Sequence, residues 1–359
     1  MFRIIKYVSK TTNLRLLCTQ VAYDIQVNPP HTPVMVQEVL NYLKPQPDRV
    51  ILDMTFGAGG HSRRILESAP NIKLLALDRD PVAFDYMTKL NEDYPNQVIP
   101  LQGRFSELPD LLKTHNIHQS SIDGVLFDFG CSSMQFDTAE RGFSVSKDGP
   151  LDMRMDGNRF PDNPTAADIL ASATEEDIYK IIKIYGEEKQ ARKIARAIVE
   201  ARYLFKRLAT TEELADLVDS VCEEEYRLDK LQRRAHNATK TFQALRIFVN
   251  NELNEINYGL ILARKYLKLG GRLVAITFHS LEDTIVKRHL LGNLVQNMAN
   301  ALPLKYSSHA LDINKGFIDG AMESNWKSLH KHVIIPRLEE VEDNPRSRSA
   351  KLRAAVRVK

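Results

Sequence analysis

From Val50 onward the chain alternates short apolar runs with stretches of helical composition: RVILDM, IKLLAL, VIPLQ and IDGVLFDF are separated by segments such as SRRILESA and PVAFDYMTKLNED. Strand, helix, strand, helix in close succession predicts a parallel α/β sheet covered on both faces, since each parallel pairing needs a crossover that packs back onto the sheet. The next strand, GGRLVAITF from Gly270, comes far downstream. A crossover helix leads into it, with Phe242, Leu245, Val249, Leu253, Ile256, Leu260 and Leu267 on one face and Gly270 and Gly271 ending it. What lies between is too long for a loop. Residues 137–236 are therefore expected to form an inserted all-helical domain, with helix starts at Thr165 with Asp168, Thr174 with Asp177 and Thr210 with Glu213. The sheet domain is then built from 31–136 and 237–359. The run FDTAERGFSVSKDGPLDMRMDGNRFPDNP opens the insert, and a linker of that length is either functional or disordered.

With 359 residues and 43% hydrophobic content the chain can bury a sizeable core, and no apolar run is long enough for a membrane span. Cys18, Cys131 and Cys222 are scattered without a CxxC spacing, so neither a disulfide framework nor a metal site is expected. The net charge of +3 is uneven: Arg3, Lys6, Lys10 and Arg15 precede the first acid, Asp24, and the rest is near neutral. Residues 1–23, basic, acid-free and rich in hydroxyls, have the composition of a mitochondrial presequence, which predicts a matrix location.

The first strand runs into ILDMTFGAGGHS, where Gly57, Gly59 and Gly60 crowd one turn. Such glycines let a backbone approach a phosphate, a dinucleotide or a nucleoside-like ligand. A Walker A loop is excluded because His61-Ser62 stands where Lys-Ser/Thr is required, and GAGGHS departs from GxGxxG at Ser62. Asp53 and Asp78 close the first two strands, and a carboxylate at such an edge can accept both hydroxyls of a ribose, in NAD and in S-adenosylmethionine alike. The end of the fourth strand discriminates. In LFDFGCSSMQF, Asp128 sits at the strand tip before a turn of small residues, where a methyltransferase acting on an exocyclic amine keeps its acceptor. Such an amine is a poor nucleophile because its lone pair is delocalised into the ring. A carboxylate that accepts its N–H bond helps localise the pair and orients the nitrogen, so catalysis is mostly positioning.

The segments HTPVMVQEVL, DMTFGAGGHS, LALDRDP, DGVLFDFGCSSMQFDTAERGFSVSKDGPLDMRMD, YGEEKQARKIARAIVEAR, ATKTFQALRIFVNNEL, GGRLVAITFHSLEDTIVKRH and NPRSRSAKLRAAVRV resemble, in order, the RsmH (MraW) family. These are S-adenosylmethionine-dependent enzymes that methylate N4 of a cytidine in small-subunit ribosomal RNA. With its basic leader the chain resembles the mitochondrial branch, whose substrate is the 12S rRNA of the assembling mitochondrial small ribosomal subunit. The resemblance implies a Rossmann-like class I methyltransferase fold, with the cofactor held by Gly59, Gly60, His61, Asp78, Phe105, Asp128 and Gln135, and Asp128 the catalytic residue. The family usually reads DLGVSS where this chain has DFGCSS, a change that leaves Asp128, Ser132 and Ser133 in place. A non-catalytic rRNA-binding assembly factor on the same fold is the rival reading, and the intact Gly59, Gly60, Asp78 and Asp128 weigh against it.

Each residue also has a purely structural reading. His61 could fill a helix turn, Asp78 could cap the helix opening at Pro81, and Asp128 could cap the amides of GCSS. Ser280 with Asp283 reads as a capping box, leaving His279 as a candidate. Two basic stretches are candidate phosphate contacts: Lys189, Arg192 or Lys193, and Arg196 at helical spacing, and the C-terminal NPRSRSAKLRAAVRVK.

Overall fold

The computed structural model describes residues 32–204, 207–222, 227–228, 234–292 and 324–359; the leader 1–23 lies outside them. The main sheet contains β1 (Val50–Asp53), β2 (Lys73–Asp78), β3 (Val98–Gln102), β4 (Ile122–Asp128), β5 (Leu267–Thr277), β6 (Trp326–Ser328) and β7 (Lys351–Arg357). Its spatial order is β3-β2-β1-β4-β5-β7-β6. The first five strands are parallel, and β7 and β6 close one edge antiparallel. Helices α1 (Val36–Leu43), α2 (Gly60–Ser68), α3 (Pro81–Asp93) and α4 (Leu108–Thr114) accompany the first half, and the short α5 (Ser133–Asp137) follows β4.

Alternation along the strands divides the core between the two faces, because successive side chains point to opposite sides. Ile51, Leu74, Ala76, Leu126, Val274 and Ile276 face one apolar cluster, with Val39 of α1, Ile65 of α2 and Met87 of α3. Leu52, Leu75, Leu77, Val125, Phe127 and Leu273 face the other. That second cluster continues without a break into α6 (Ala166–Ser172), α7 (Glu175–Tyr185), α8 (Ala191–Tyr203) and α9 (Thr211–Val221) through Ile169, Ile182, Ile194 and Leu214. The helices between 137 and 236 thus share apolar packing with one face of the sheet. Thr165, Thr174 and Thr210 cap α6, α7 and α9 by accepting from the amides of Asp168, Asp177 and Glu213.

The crossover into β5 differs from the expectation of one helix. It is two, α10 (Thr239–Val249) and α11 (Glu252–Tyr266), broken where Asn251 takes a left-handed φ of 52°. The break has a use. Asn250 Nδ2 donates to the Met153 carbonyl at 2.7 Å, its Oδ1 accepts from the Met155 amide at 2.7 Å, and its own carbonyl accepts from Arg79 at 2.9 Å. Nor do Gly270 and Gly271 end the helix: Leu267 is already extended, and both glycines lie inside β5. There Lys268 to Gly271 stand against the single residue Asp123, because Ile122 pairs with Leu267 and Gly124 with Arg272. A bulge of this kind needs a residue tolerant of positive φ, and Gly270 has φ 79°.

The linker before the helices is ordered and tied down. Asp156, 5% exposed, accepts from Arg79, Arg104 and Arg159, while Arg141 donates to Asp80 and to the carbonyls of Arg154 and Met155. Arg104 and Arg159 also lie over the Phe160 ring at 4.3 and 5.1 Å. This strap binds the insert to the loops that follow β2 and β3.

Candidate active site

Sheet order reverses between β1 and β4, and in open α/β sheets the crevice outside the strand C-termini at that point is where ligands bind. In register, Asp53 sits beside Ala76 of β2 and Leu126 of β4, so Asp78 and Asp128 each project two residues beyond it, one on either side. The glycine turn leaves β1 between them. Gly57 (φ 56°) and Gly59 (φ 80°) occupy a region that L side chains rarely adopt, and a Cβ on Gly59 would come within 2.7 Å of the Phe56 ring. A Cβ on Gly57 would meet only Ser132, at 3.9 Å, so the turn keeps an open concavity beside Asp78. Gly60 and His61 open α2.

Asp78 is not the helix cap. Its oxygens accept from the amides of Gly57 at 2.8 Å and Asp80 at 2.9 Å, whereas Asp80 caps α3 with Pro81 in the first turn. Burial pushes the Asp78 carboxyl up to about 6, against the pull of those two amides. Asp128 is not a cap either. Ser132 caps α5, while Asp128 Oδ1 is buried without a hydrogen-bond partner among the described residues and its backbone amide donates to Thr55 Oγ1 at 2.6 Å. His61 is 7% exposed, neither imidazole nitrogen has a hydrogen-bond partner among the described residues, and its Nε2 lies 3.5 Å from Asp128 Oδ2. Unpartnered buried polar groups are uncommon, and among the described residues three such atoms sit together at this strand tip.

Two other expected site residues sit differently. Phe105 packs edge-on against Phe127 (5.7 Å) and Phe129 (6.3 Å) beside Gly259, with part of the ring accessible. Gln135 is buried with both ends of its amide engaged by the protein: Nε2 donates to Asp80 at 2.8 Å and Oε1 accepts from the Ser132 amide at 3.1 Å. It braces the turn after β4 against the turn after β2. His279, not Ser280, caps α12 (Ser280–Leu291), with Glu282 completing the box. Glu252, His279 and Glu282 bring potential ligand atoms within 4.8 Å of one another, but Arg246 already holds Glu252 bidentately at 2.8 and 2.9 Å, and Glu282 accepts from the Phe278 and His279 amides. The cluster is a neutralised brace under Gly130 and Cys131, where burial pushes the thiol up to about 12.

A family model described as the MraW methylase family matches residues 28–358. The chain belongs to the MraW methylase family. Among its relatives, a bovine (Bos taurus) protein named 12S rRNA N(4)-cytidine methyltransferase METTL15 is 50% identical over 91% of this chain and 83% of its own length. A bacterial protein named ribosomal RNA small subunit methyltransferase H, from Parvibaculum lavamentivorans, is 46% identical over 91% of this chain and 89% of its own. A Culex quinquefasciatus protein named for a receptor-type tyrosine-protein phosphatase is 62% identical over 91% of this chain, which spans 22% of that protein's length.

Several residues that shape this strand-tip crevice carry no signal in the sequence. Thr55, Asp156, Arg141 and Asn250 act through partners distant along the chain, and no local spacing announces them. Of the basic candidates, Lys189, Lys193 and Arg196 are exposed on or beside α8, while Arg192 pairs with Glu176 at 2.7 Å over the Tyr179 ring. The C-terminal run, the other candidate phosphate contact, is partly engaged by the protein itself, and Lys351–Arg357 of it is β7. Arg353 and Lys351 pair with Asp283, Arg346 pairs with Asp137, and Arg357 reaches the Leu267 carbonyl. Among the described residues no helix is long and apolar enough to cross a membrane.

Proposed function

We infer that this methylase transfers a methyl group from S-adenosylmethionine to N4 of a cytidine in mitochondrial small-subunit (12S) rRNA, in the matrix, as a step in small-subunit maturation. The observation that carries the reading is the unpartnered Asp128–His61 pair beside a positive-φ glycine turn and the Asp78 carboxylate. When bound, the cofactor supplies an electrophilic methyl on a sulfonium. The open concavity at Gly57 and the free Asp128 oxygen suit such a group: Gly59, Gly60 and His61 would hold it along the turn, Asp78 at the ribose, Phe105 beside the adenine, with Gln135 fixing the turn. Asp128 would accept the N4–H bond and aim the nitrogen's lone pair. The names of the bovine and bacterial relatives support the rRNA substrate. Residues 137–236 would serve as the rRNA-recognising unit and 31–136 with 237–359 as the methyltransferase unit, with Lys189, Lys193 and Arg196 as phosphate contacts. Incubation with labelled S-adenosylmethionine and mitochondrial small-subunit particles, followed by nucleoside mapping, tests this; label on any position other than cytidine N4 overturns it.

Asp78→Ala should weaken cofactor binding by roughly 1.5–3 kcal/mol, the worth of charge-assisted hydrogen bonds to a ribose, with RNA affinity unchanged. In the wild type, calorimetric affinity should be flat at neutral pH and fall as pH drops through about 6, because a protonated Asp78 is a poorer acceptor. The unliganded fold responds oppositely. With its carboxyl raised from 3.8, Asp78 contributes stability below that value and loses it as pH rises through about 6. Normal cofactor binding in Asp78→Ala would remove this carboxylate from the site.

Residues 1–23, fused to a reporter, should deliver it to mitochondria. A cytosolic reporter would overturn the matrix location and leave the methyl-transfer reading intact.

A further inference from the structure

Methylation of a neutral exocyclic amine ends with one proton too many. As the nitrogen's lone pair forms the new N–C bond, an N–H bond must break, leaving its electron pair on nitrogen and sending the proton to a base. Resting on the function inferred above, we propose that His61 is that base: the N4 proton goes onto the Asp128 carboxylate, the carboxyl turns about its Cβ–Cγ bond and gives the proton to the His61 imidazole, and from there it passes to solvent once product leaves.

Three independent features of the site carry this. The imidazole is buried with both nitrogens lacking hydrogen-bond partners among the described residues, so a base site is held ready and unused by the fold itself. Its Nε2 stands 3.5 Å from Asp128 Oδ2, just beyond hydrogen-bond length, a spacing that catalytic pairs commonly show before substrate binds. Asp128 Oδ1, also without a partner, is left for the amine. The third feature is Asp53, 1% exposed at the end of β1, whose charge interacts with both His61 and Asp128. Its oxygens are committed to Ser62 Oγ at 2.7 Å and to the Thr55 amide at 3.1 Å, so its position behind the imidazole is fixed. Burial raises the Asp53 carboxyl, while the Ser62 hydroxyl and the nearby His61 pull it down. The titratable groups facing His61 are thus Asp53 of β1 and Asp128 of β4, and Asp128 is the one placed to hand it the proton. Thr55 ties the two strands together, its amide on Asp53 and its hydroxyl accepting from the Asp128 amide.

The test is single-turnover methyl transfer to small-subunit particles at saturating S-adenosylmethionine across pH, with calorimetry of S-adenosylhomocysteine binding. The wild-type rate should rise with pH and level off. His61→Gln should lose that limb and fall on the order of 100-fold on the plateau, with any weakening of S-adenosylhomocysteine binding too small to account for the loss at saturating S-adenosylmethionine. Should His61→Gln fail to fold, His61→Asn, which likewise has no basic nitrogen, decides the matter by the same loss of the limb. An unchanged pH limb in the folded variant, or a rate restored by raising S-adenosylmethionine further, would each overturn the proposal alone. Wild-type protein that methylates no cytidine N4 at any pH would overturn the functional reading, and this one with it.

Discussion

Asp128→Asn is expected to lower single-turnover methyl transfer on the order of 100-fold or more at saturating cofactor, the usual contribution of a positioned acid-base or orienting group. The substitution keeps the shape of the side chain and one acceptor oxygen, so packing at the β4 tip should survive. It removes the charge that orients the amine and replaces one oxygen with a donor, where Oδ1 is now unpartnered. The backbone amide of residue 128 would still donate to Thr55, so the strand end should not move. Titrating S-adenosylmethionine under single-turnover conditions separates the two roles of the carboxylate. If high cofactor restores the full rate, Asp128 only binds, and the amine's partner must be sought at Ser132, Ser133 or His279.

The second large effect is structural. Asp156→Ala should destabilise the protein by about 3 kcal/mol, the lower end of what removing one member of a buried ion pair costs, because Arg79, Arg104 and Arg159 keep some solvent contact. Although burial raises it, hydrogen bonds from Arg79 and Arg104 hold the Asp156 carboxyl below the usual carboxylate range. Three guanidinium groups would then face one another without their shared anion. Asp156→Asn, which retains an acceptor, should fall between alanine and wild type in thermal melting. Since Arg79 follows Asp78 directly and Arg104 precedes Phe105, cofactor affinity should also drop in the alanine variant. A melting midpoint equal to wild type would mean that the strap is held by Asn250 and Arg141 alone.

Local chemistry made the main strands, the glycine turn and the caps at Thr165, Thr174 and Thr210 readable from the chain alone. Alternating apolar residues, residues tolerant of positive φ and hydroxyl caps all act within a few positions of themselves. The sequence does not settle the capping residues Asp80 and His279, because DRDP offers Asp78 and Asp80, HSLED offers His279 and Ser280, and which one caps depends on where the preceding strand ends. The break at Asn250 was invisible for a different reason. An apolar stripe continues across it, and only the distant amide of Met155 and carbonyl of Met153 give the break its partners.

By itself the sequence determined a parallel α/β sheet with a nucleoside-type turn at its first strand and an acidic residue at the tips of the first, second and fourth strands, since periodicity and backbone tolerance are local properties. Tertiary structure alone decided which of those acids is free: strand order places Asp53, Asp78 and Asp128 along one edge, and long-range contacts then commit Asp53 to Ser62 and Asp78 to Gly57 while leaving Asp128 open toward His61. It also decided that part of the C-terminal basic run is sheet, because β7 pairs with β5 and Asp283 takes up the charges of Lys351 and Arg353. The physical reason is the same in both cases. Whether a charged group is available for chemistry depends on who meets it in space, and the chain order of a crossover sheet does not state its neighbours.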